Sequence, residues 1–287
     1  MKNRFLVLGS TGQLGKVFEE TLSLESKEHF FLSHQDLDIT DADKLKASIE
    51  RFKPSVIVNA TAYNDVDLAE NHREEAFRVN AKSVETLADL CKKNNIFLIH
   101  YSTDYVFDGA KAVSYTEEDL PNPLKQYGHS KLEGERAIQA ILKDYLLFRV
   151  SWVFGKGERN FLAKAIKWAG TKQEIRIAQD EISVPTYTHD IVAAALSAHS
   201  KNLTGLYHLT NAGYCSRYDW VKFFFEKKGF DNKITPASSD DFYLLAKRPK
   251  FSAMSNRKLC TDLKSQIPSW QDAVIRFAQQ QKNEEKA

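Results

Sequence analysis

Seven residues, Gly9-Ser10-Thr11-Gly12-Gln13-Leu14-Gly15, constrain this chain more than any other stretch. They follow an apolar run at residues 4–8 and open a helical pattern at residues 16–23. Strand, glycine turn and helix in that order suit the phosphates of a dinucleotide. Glycine lets the chain turn tightly and approach a pyrophosphate, and the helix start offers unpaired N–H groups and a partial positive charge. The glycines are spaced three and three, not two and three as in the commoner fingerprint. An ordinary strand–helix turn is the plainer reading. The strand before and the helix after favour the dinucleotide site.

The same alternation continues. Apolar strand patterns at residues 30–33, 55–59, 96–101 and 145–150 are separated by helical patterns at 43–51, 74–93 and 126–142. Alternating strands and helices predict an α/β fold, a Rossmann-like doubly wound parallel sheet, with ligands beyond the carboxyl ends of the strands. Residues 1–150 are read as the dinucleotide-binding domain. Beyond 151 the pattern is less regular, with helices expected at 160–169, 189–199 and 216–228 and a strand at 205–210. Residues 151–287 are read mainly as a smaller C-terminal α/β substrate lobe, with about 185–210 rejoining the first domain.

Tyr127-Gly128-His129-Ser130-Lys131 places a tyrosine and a lysine four apart, on one face of a helix. A phenol is a weak acid at neutral pH, and a neighbouring ammonium is expected to lower its pKa. Tyr127 could then give a proton to a ketone oxygen as hydride reaches the carbon, with Lys131 also holding the nicotinamide ribose. Spacing alone is a weak signal, because such pairs are common on helix surfaces. Position strengthens it: the pair follows a strand ending in His100-Tyr101-Ser102-Thr103-Asp104. A Thr103 hydroxyl at that strand end can hydrogen-bond both the substrate carbonyl and the Tyr127 phenol. Glycine loop, strand-end hydroxyl and Tyr–Lys pair together describe the short-chain dehydrogenase/reductase constellation.

Composition narrows the partners. The net charge is +2 with 27% charged residues, and neither a basic cluster nor a long apolar run is present. Nucleic acid and membrane are therefore not expected as partners. The start shows no secretory pattern, so a cytoplasmic location is expected. Cys91, Cys215 and Cys260 lack metal or redox spacing and read as reduced structural thiols; no metal is expected. The expected end of the second strand, Leu32-Ser33-His34-Gln35, carries no carboxylate to repel a 2′-phosphate and no arginine to bind one. NADPH is preferred on that ground, with NADH left open. Asp38 could meet the adenine amino group, or simply cap its own loop.

Longer segments carry a resemblance. They are Gly-Ser-Thr-Gly-Gln-Leu-Gly (9–15), Val-Asn-Ala-Thr-Ala-Tyr-Asn-Asp-Val-Asp-Leu-Ala-Glu (58–70) and Ser-Thr-Asp-Tyr-Val-Phe-Asp-Gly (102–109). Tyr-Gly-His-Ser-Lys-Leu-Glu-Gly-Glu (127–135), Arg-Val-Ser-Trp-Val-Phe-Gly (149–155), Asn-Phe (160–161), Val-Pro-Thr-Tyr-Thr (184–188) and Arg-Pro-Lys-Phe-Ser (248–252) follow in order. In these the chain resembles the dTDP-4-dehydrorhamnose reductase family of extended short-chain dehydrogenases. The resemblance implies reduction of a nucleotide-linked sugar C4 ketone, with Tyr127 as proton donor, Lys131 on the cofactor ribose and Thr103 tuning the tyrosine. It implies that the loop Gly9 to Gly15, Asp38, Ile39, Ala60, Ala62, Tyr63 and Tyr101 line the cofactor. Thr103, Asp104, Trp152 and Asn160 would meet the substrate, and Arg248 its diphosphate, which suits a guanidinium fork. A core aromatic and a surface ion pair are the plainer readings of Trp152 and Arg248. A homodimer is left open.

One segment departs from the family. Where Asp-Gln-x-Gly-x-Pro-Thr is usual, this chain has Asp180-Glu181-Ile182-Ser183-Val184-Pro185-Thr186. The change lies on the substrate side and bears on which sugar is accepted. A related nucleotide-sugar 4-ketoreductase is thus one alternative. A non-catalytic subunit, of the kind that regulates methionine adenosyltransferase, is another. An epimerase or dehydratase ranks below both, because only Asp104 follows the strand-end threonine.

Overall fold

The computed structural model describes residues 3–24, 28–158, 160–243 and 245–284. In chain order the first half contains β1 (Arg4–Leu8), α1 (Gln13–Leu24), β2 (Glu28–Leu32), α2 (Ala42–Phe52) and β3 (Val56–Asn59). Then come α3 (Leu68–Asn71), α4 (Arg73–Phe77), a π-helical turn (Arg78–Lys82), α5 (Ser83–Asn94), β4 (Phe97–Thr103), α6 (Gln126–Ile141) and β5 (Tyr145–Val150). The second half runs β6 (Val153–Phe154), α7 (Phe161–Ala169), β7 (Glu174–Ala178), β8 (Ile182–Ser183), β9 (Thr186–Tyr187), α8 (Thr188–Ser200) and β10 (Gly205–His208). It ends with β11 (Cys215–Ser216), α9 (Arg217–Lys228), β12 (Lys233–Ala237), α10 (Arg257–Leu263) and α11 (Trp270–Glu284).

Six strands form one parallel sheet in the order β2-β1-β3-β4-β5-β10. Alternate residues of each strand feed opposite faces, as the pleat requires. Phe5, Val7, Ile99, Tyr101, Leu146 and Phe148 pack beneath α1, α8 and α10. Leu6, Leu8, Ile57, Leu98 and Leu147 pack beneath α2, α5 and α6. Both faces are buried, which is why these strands read as near-continuous apolar runs. The chain returns to this sheet late: β10 pairs with β5, and α8 packs on α1. A separate aromatic cluster built on Phe154, Trp220, Phe224, Trp270 and Phe277 forms the core of the second lobe.

The helix expected over 74–93 is interrupted. Residues 78–82 form a π turn, and its Asn80 is buried. Asn80 Oδ1 accepts from Tyr63 N at 2.9 Å, while its Nδ2 donates to Tyr63 O at 3.1 Å and Ser130 Oγ at 3.0 Å. The π turn therefore delivers one amide that ties the exit of β3 to α6. Such turns recur at functional sites. Helix α6 is also pinned to β5 by the buried pair Arg149–Glu135, 2.6 Å apart. Glu135 lies one turn beyond Lys131, so this pair fixes the rotation of the helix that carries Tyr127 and Lys131.

Candidate active site

The glycine loop crosses the carboxyl edge of the sheet. Gly9 and Ser10 both donate to Leu32 O, at 2.9 and 3.1 Å, which stitches the loop to β2. Gly9 has φ +82°, a conformation that penalises any side chain. A Cβ on Gly15 would fall 2.3 Å from Gly9 O. The third glycine is thus required by contact of helix with loop. Next to it, Asn59 Oδ1 accepts from Thr61 N and Oγ1, at 3.1 and 2.6 Å, turning the chain over the end of β3.

A cavity of about 370 Å³ opens between this edge and the second lobe. Gly12, Gln13 and Leu14 line one wall, with Ala60, Thr61, Ala62, Asn64 and Val66 beside them. Tyr101 to Tyr105, Tyr127 and Lys131 form the floor. Residues 150–153, Asn160, Phe161, Arg217 and Trp220 close the far side.

Of the residues the sequence singles out, Gly12, Gln13, Leu14, Ala60, Ala62, Tyr101, Thr103, Asp104, Tyr127, Lys131, Trp152 and Asn160 meet at this one cavity. Gly9, Ser10, Thr11 and Gly15 belong to the same loop but do not line the cavity. Tyr63 stands on the adjoining segment. Asp38 and Ile39 lie beyond β2, where Asp38 Oδ1 accepts from Thr40 N and Oγ1 at 2.9 and 2.8 Å. These bonds hold its carboxyl below the usual carboxylate range, the backbone bond foremost. Arg248 is outside the cavity wall. Its fork engages both oxygens of Asp67 at 2.7 Å.

Tyr127 and Lys131 are both buried. Burial pushes the Tyr127 phenol up, opposed by its hydrogen bond with Thr103. Burial pushes the Lys131 ammonium down to about 8, opposed by Glu135. The expected lowering of the phenol by Lys131 is not what governs it here. Desolvation dominates, and a protonated phenol is the form a proton donor needs. Lys131 Nζ donates to Tyr101 O at 2.7 Å, and no carboxylate among the described residues pairs with it. Ser102 Oγ is buried in the same wall without a partner. A buried cation and an orphaned hydroxyl beside a glycine-lined helix start suit a ligand rich in hydroxyl and phosphate oxygens.

Asp104 accepts three hydrogen bonds from hydroxyls. Its Oδ2 accepts from Ser183 Oγ at 2.9 Å and Ser252 Oγ at 2.6 Å, and its Oδ1 accepts from Thr103 Oγ1 at 3.2 Å. Burial still pushes its carboxyl up to about 6. The ionised form is disfavoured in the fold, so stability is lost as pH rises from about 4, the usual carboxylate value, through that raised one. Asp104→Asn removes this pH-dependent penalty, at most about 3 kcal/mol for two units at 1.36 kcal/mol each, but puts an amide nitrogen where an oxygen accepts. Thermal melts should therefore show the variant gaining on wild type as pH rises from 4 to 8. A difference between the two that does not change with pH would refute the assignment.

Trp152 and Asn160 join the two lobes. Trp152 has φ +38°, strained for a bulky residue, and stacks on Trp220 with centroids 5.6 Å apart. Asn160 Nδ2 donates to Gln13 Oε1 at 3.0 Å and to the carbonyls of Gly155 and Gly157, while Oδ1 caps α7. Its amide links the glycine helix to the second lobe.

The RmlD substrate binding domain model matches residues 3–283. The chain belongs to this family. It is 34% identical over 284 residues to a dTDP-4-dehydrorhamnose reductase of Aggregatibacter actinomycetemcomitans, covering 94% of this chain and 97% of that one. A dTDP-4-keto-6-deoxy-D-glucose reductase of Streptomyces niveus is 30% identical, with 89% and 90% covered. The crystal structure of the Bacillus anthracis dTDP-4-dehydrorhamnose reductase in complex with NADP superposes with a TM-score of 0.94 at 32% identity, covering 98% of this chain and all of that one.

Within this RmlD-family fold, sequence reasoning missed Arg217, Phe161 and Asn80. Arg217 follows Ser216 at a helix start and reads locally as a surface residue. Only the pairing of β11 with β8 brings it to the cavity. Asn80 sits inside a helical pattern that gives no sign of a π turn.

Proposed function

We propose that this chain reduces the C4 ketone of dTDP-4-dehydro-L-rhamnose to dTDP-L-rhamnose with NADPH. The observation that carries the reading is the convergence of Thr103, Tyr127 and Lys131 on one cavity whose opposite wall is the glycine loop. The NADP named with the Bacillus anthracis relative, and the absence of a carboxylate at residues 33–35, favour NADPH over NADH.

NADPH, when bound, supplies the hydride. The side chains do the rest. The glycine loop and the first turn of α1 hold the phosphates, Asp38 and Ile39 flank the adenosine, and Ala60, Ala62, Tyr63 and Tyr101 complete the cleft. Lys131 holds the ribose hydroxyls with the donors not given to Tyr101. Thr103 and Tyr127 fix the ketone oxygen, and Tyr127 gives it the phenolic proton as the carbon accepts the hydride; solvent then reprotonates the phenolate. Asp104, Trp152 and Asn160 surround the sugar, and Arg248 meets the diphosphate by exchanging Asp67 for it.

The partner in this reading is the nucleotide-sugar, not nucleic acid. No described helix is long and apolar enough to cross a membrane. Three buried free thiols fit a reducing cytoplasm. The departures at Glu181 and Ser183 favour, as a second reading, reduction of a related dTDP-4-keto-6-deoxyhexose. Incubating the purified protein with each keto-sugar and NADPH, and identifying the product sugar, separates the two. Turnover should occur with the L-lyxo ketone. Oxidation of NADPH with a different ketone alone would transfer the assignment to that sugar, and oxidation with none would return a non-catalytic role.

A further inference from the structure

Glu181 and Ser183 do not line the cavity, yet each holds a residue that does. Ser183 holds Asp104. Glu181, itself buried, accepts from Arg217 Nε at 2.5 Å. The Arg217 guanidinium lies 4.3 Å from the Trp152 ring centroid and 4.6 Å from that of Phe161. Both rings belong to the cavity wall. Nε is taken by Glu181, and among the described residues the two terminal nitrogens make no hydrogen bond.

We propose that Arg217 is a substrate-binding residue that helps to select the sugar, donating its two terminal nitrogens to neighbouring hydroxyl oxygens of the ring. The inference rests on the reductase reading above. A guanidinium edge matches two adjacent acceptor oxygens. Glu181 neutralises the cation, so the pair offers donors without net charge, which fits a neutral diol better than an anion. Place argues the same way. The Arg217 charge favours the ionised forms of Asp104 and Tyr105, the two residues that follow Thr103. Arg217 therefore stands near the ketone end of the cavity. The diphosphate of a nucleotide-sugar is held away from that end by the sugar ring. Stacking on two aromatic rings and bonding to Glu181 order the side chain beforehand, which lowers the cost of binding.

The experiment compares wild type, Arg217→Gln and Arg217→Lys on the keto-sugar, on its 2-deoxy analogue, and with dTDP alone as a competitive inhibitor. Wild type should lose about tenfold or more in kcat/KM on the deoxy analogue, the scale of a hydrogen bond to a charged donor. Both variants should lose about 10²-fold on the full sugar and discriminate little between it and the analogue. Inhibition by dTDP should stay at the wild-type level. Glu181→Gln combined with Arg217→Gln should cost no more than Arg217→Gln alone, since Glu181 acts through the arginine. Inhibition by dTDP that weakens as much as turnover would place Arg217 on the diphosphate. Full discrimination by the lysine variant would reduce Arg217 to a brace. Either result overturns the proposal. Should wild type turn over no keto-sugar, the reductase reading itself fails. Calorimetric binding of dTDP-rhamnose against dTDP, in wild type and Arg217→Gln, then decides the role of Arg217: a sugar-dependent gain lost in the variant upholds it, and an unchanged gain overturns it.

Discussion

Tyr127→Phe should lower kcat by at least about 10²-fold, the scale of general acid catalysis, while NADPH binding stays close to wild type. The substitution removes one oxygen and keeps the ring, which packs edge-on against Tyr105 with centroids 6.0 Å apart. The fold loses only the hydrogen bond between the phenol and Thr103. Single-turnover reduction and fluorescence titration of NADPH separate the two effects. A wild-type rate in the variant would remove the phenol from the chemistry. The pH profile of the wild type carries a second signature. Burial holds the Tyr127 phenol high, so it keeps its proton across the working range. Lys131 titrates first, at about 8. The free-enzyme profile, kcat/KM, should therefore fall as pH rises through about 8, because the ammonium proposed to hold the ribose is lost before the proposed proton donor is. Lys131→Arg keeps its charge there and should shift that limb upward.

Gly15→Ala should weaken cofactor binding by at least about tenfold. The added Cβ would lie 2.3 Å from Gly9 O, 2.6 Å from Ser10 Cα and 2.7 Å from Ser10 C. All three are backbone atoms, so no side-chain rotation relieves the clash. Either α1 moves off the loop or the loop moves into the cavity. Overpacking of this kind costs about 1–3 kcal/mol of stability. Because the same loop is the proposed phosphate wall, NADPH affinity should fall by at least that tenfold, the equivalent of about 1.4 kcal/mol. Gly229→Ala is the control. It sits at φ +85° with nothing within 4 Å of its Cβ, so it should cost stability by strain alone and leave NADPH affinity unchanged. Equal loss of affinity in both variants would show that the effect is global destabilisation.

The parallel sheet, the glycine loop and the Tyr127–Lys131 helix were legible because each is a local pattern. A buried strand needs apolar residues on both faces, a tight strand–helix crossing needs glycine, and two side chains on one helical face need a spacing of four. These constraints are written in contiguous residues, and sequence alone determined them. Thr103 was legible for the same reason, as the hydroxyl at a strand end.

Tertiary structure decided what distant segments do to one another. The protonation of Tyr127 is set by burial and Thr103, not by the lysine four residues away, because desolvation depends on everything packed around the site. Arg248 and Asp67 are far apart in sequence, and only the fold joins them. Asn80 acts through a π turn that no periodicity announces. The departures at Glu181 and Ser183 were visible as substitutions but silent as chemistry. Their meaning lies in Arg217 and Asp104, brought to them by β11 against β8 and by the strand end of β4. The glycine loop and the Tyr–Lys helix are local and belong to the sequence; the charges and hydroxyls around the cavity are assembled across the chain, because pairing and burial are properties of the folded neighbourhood.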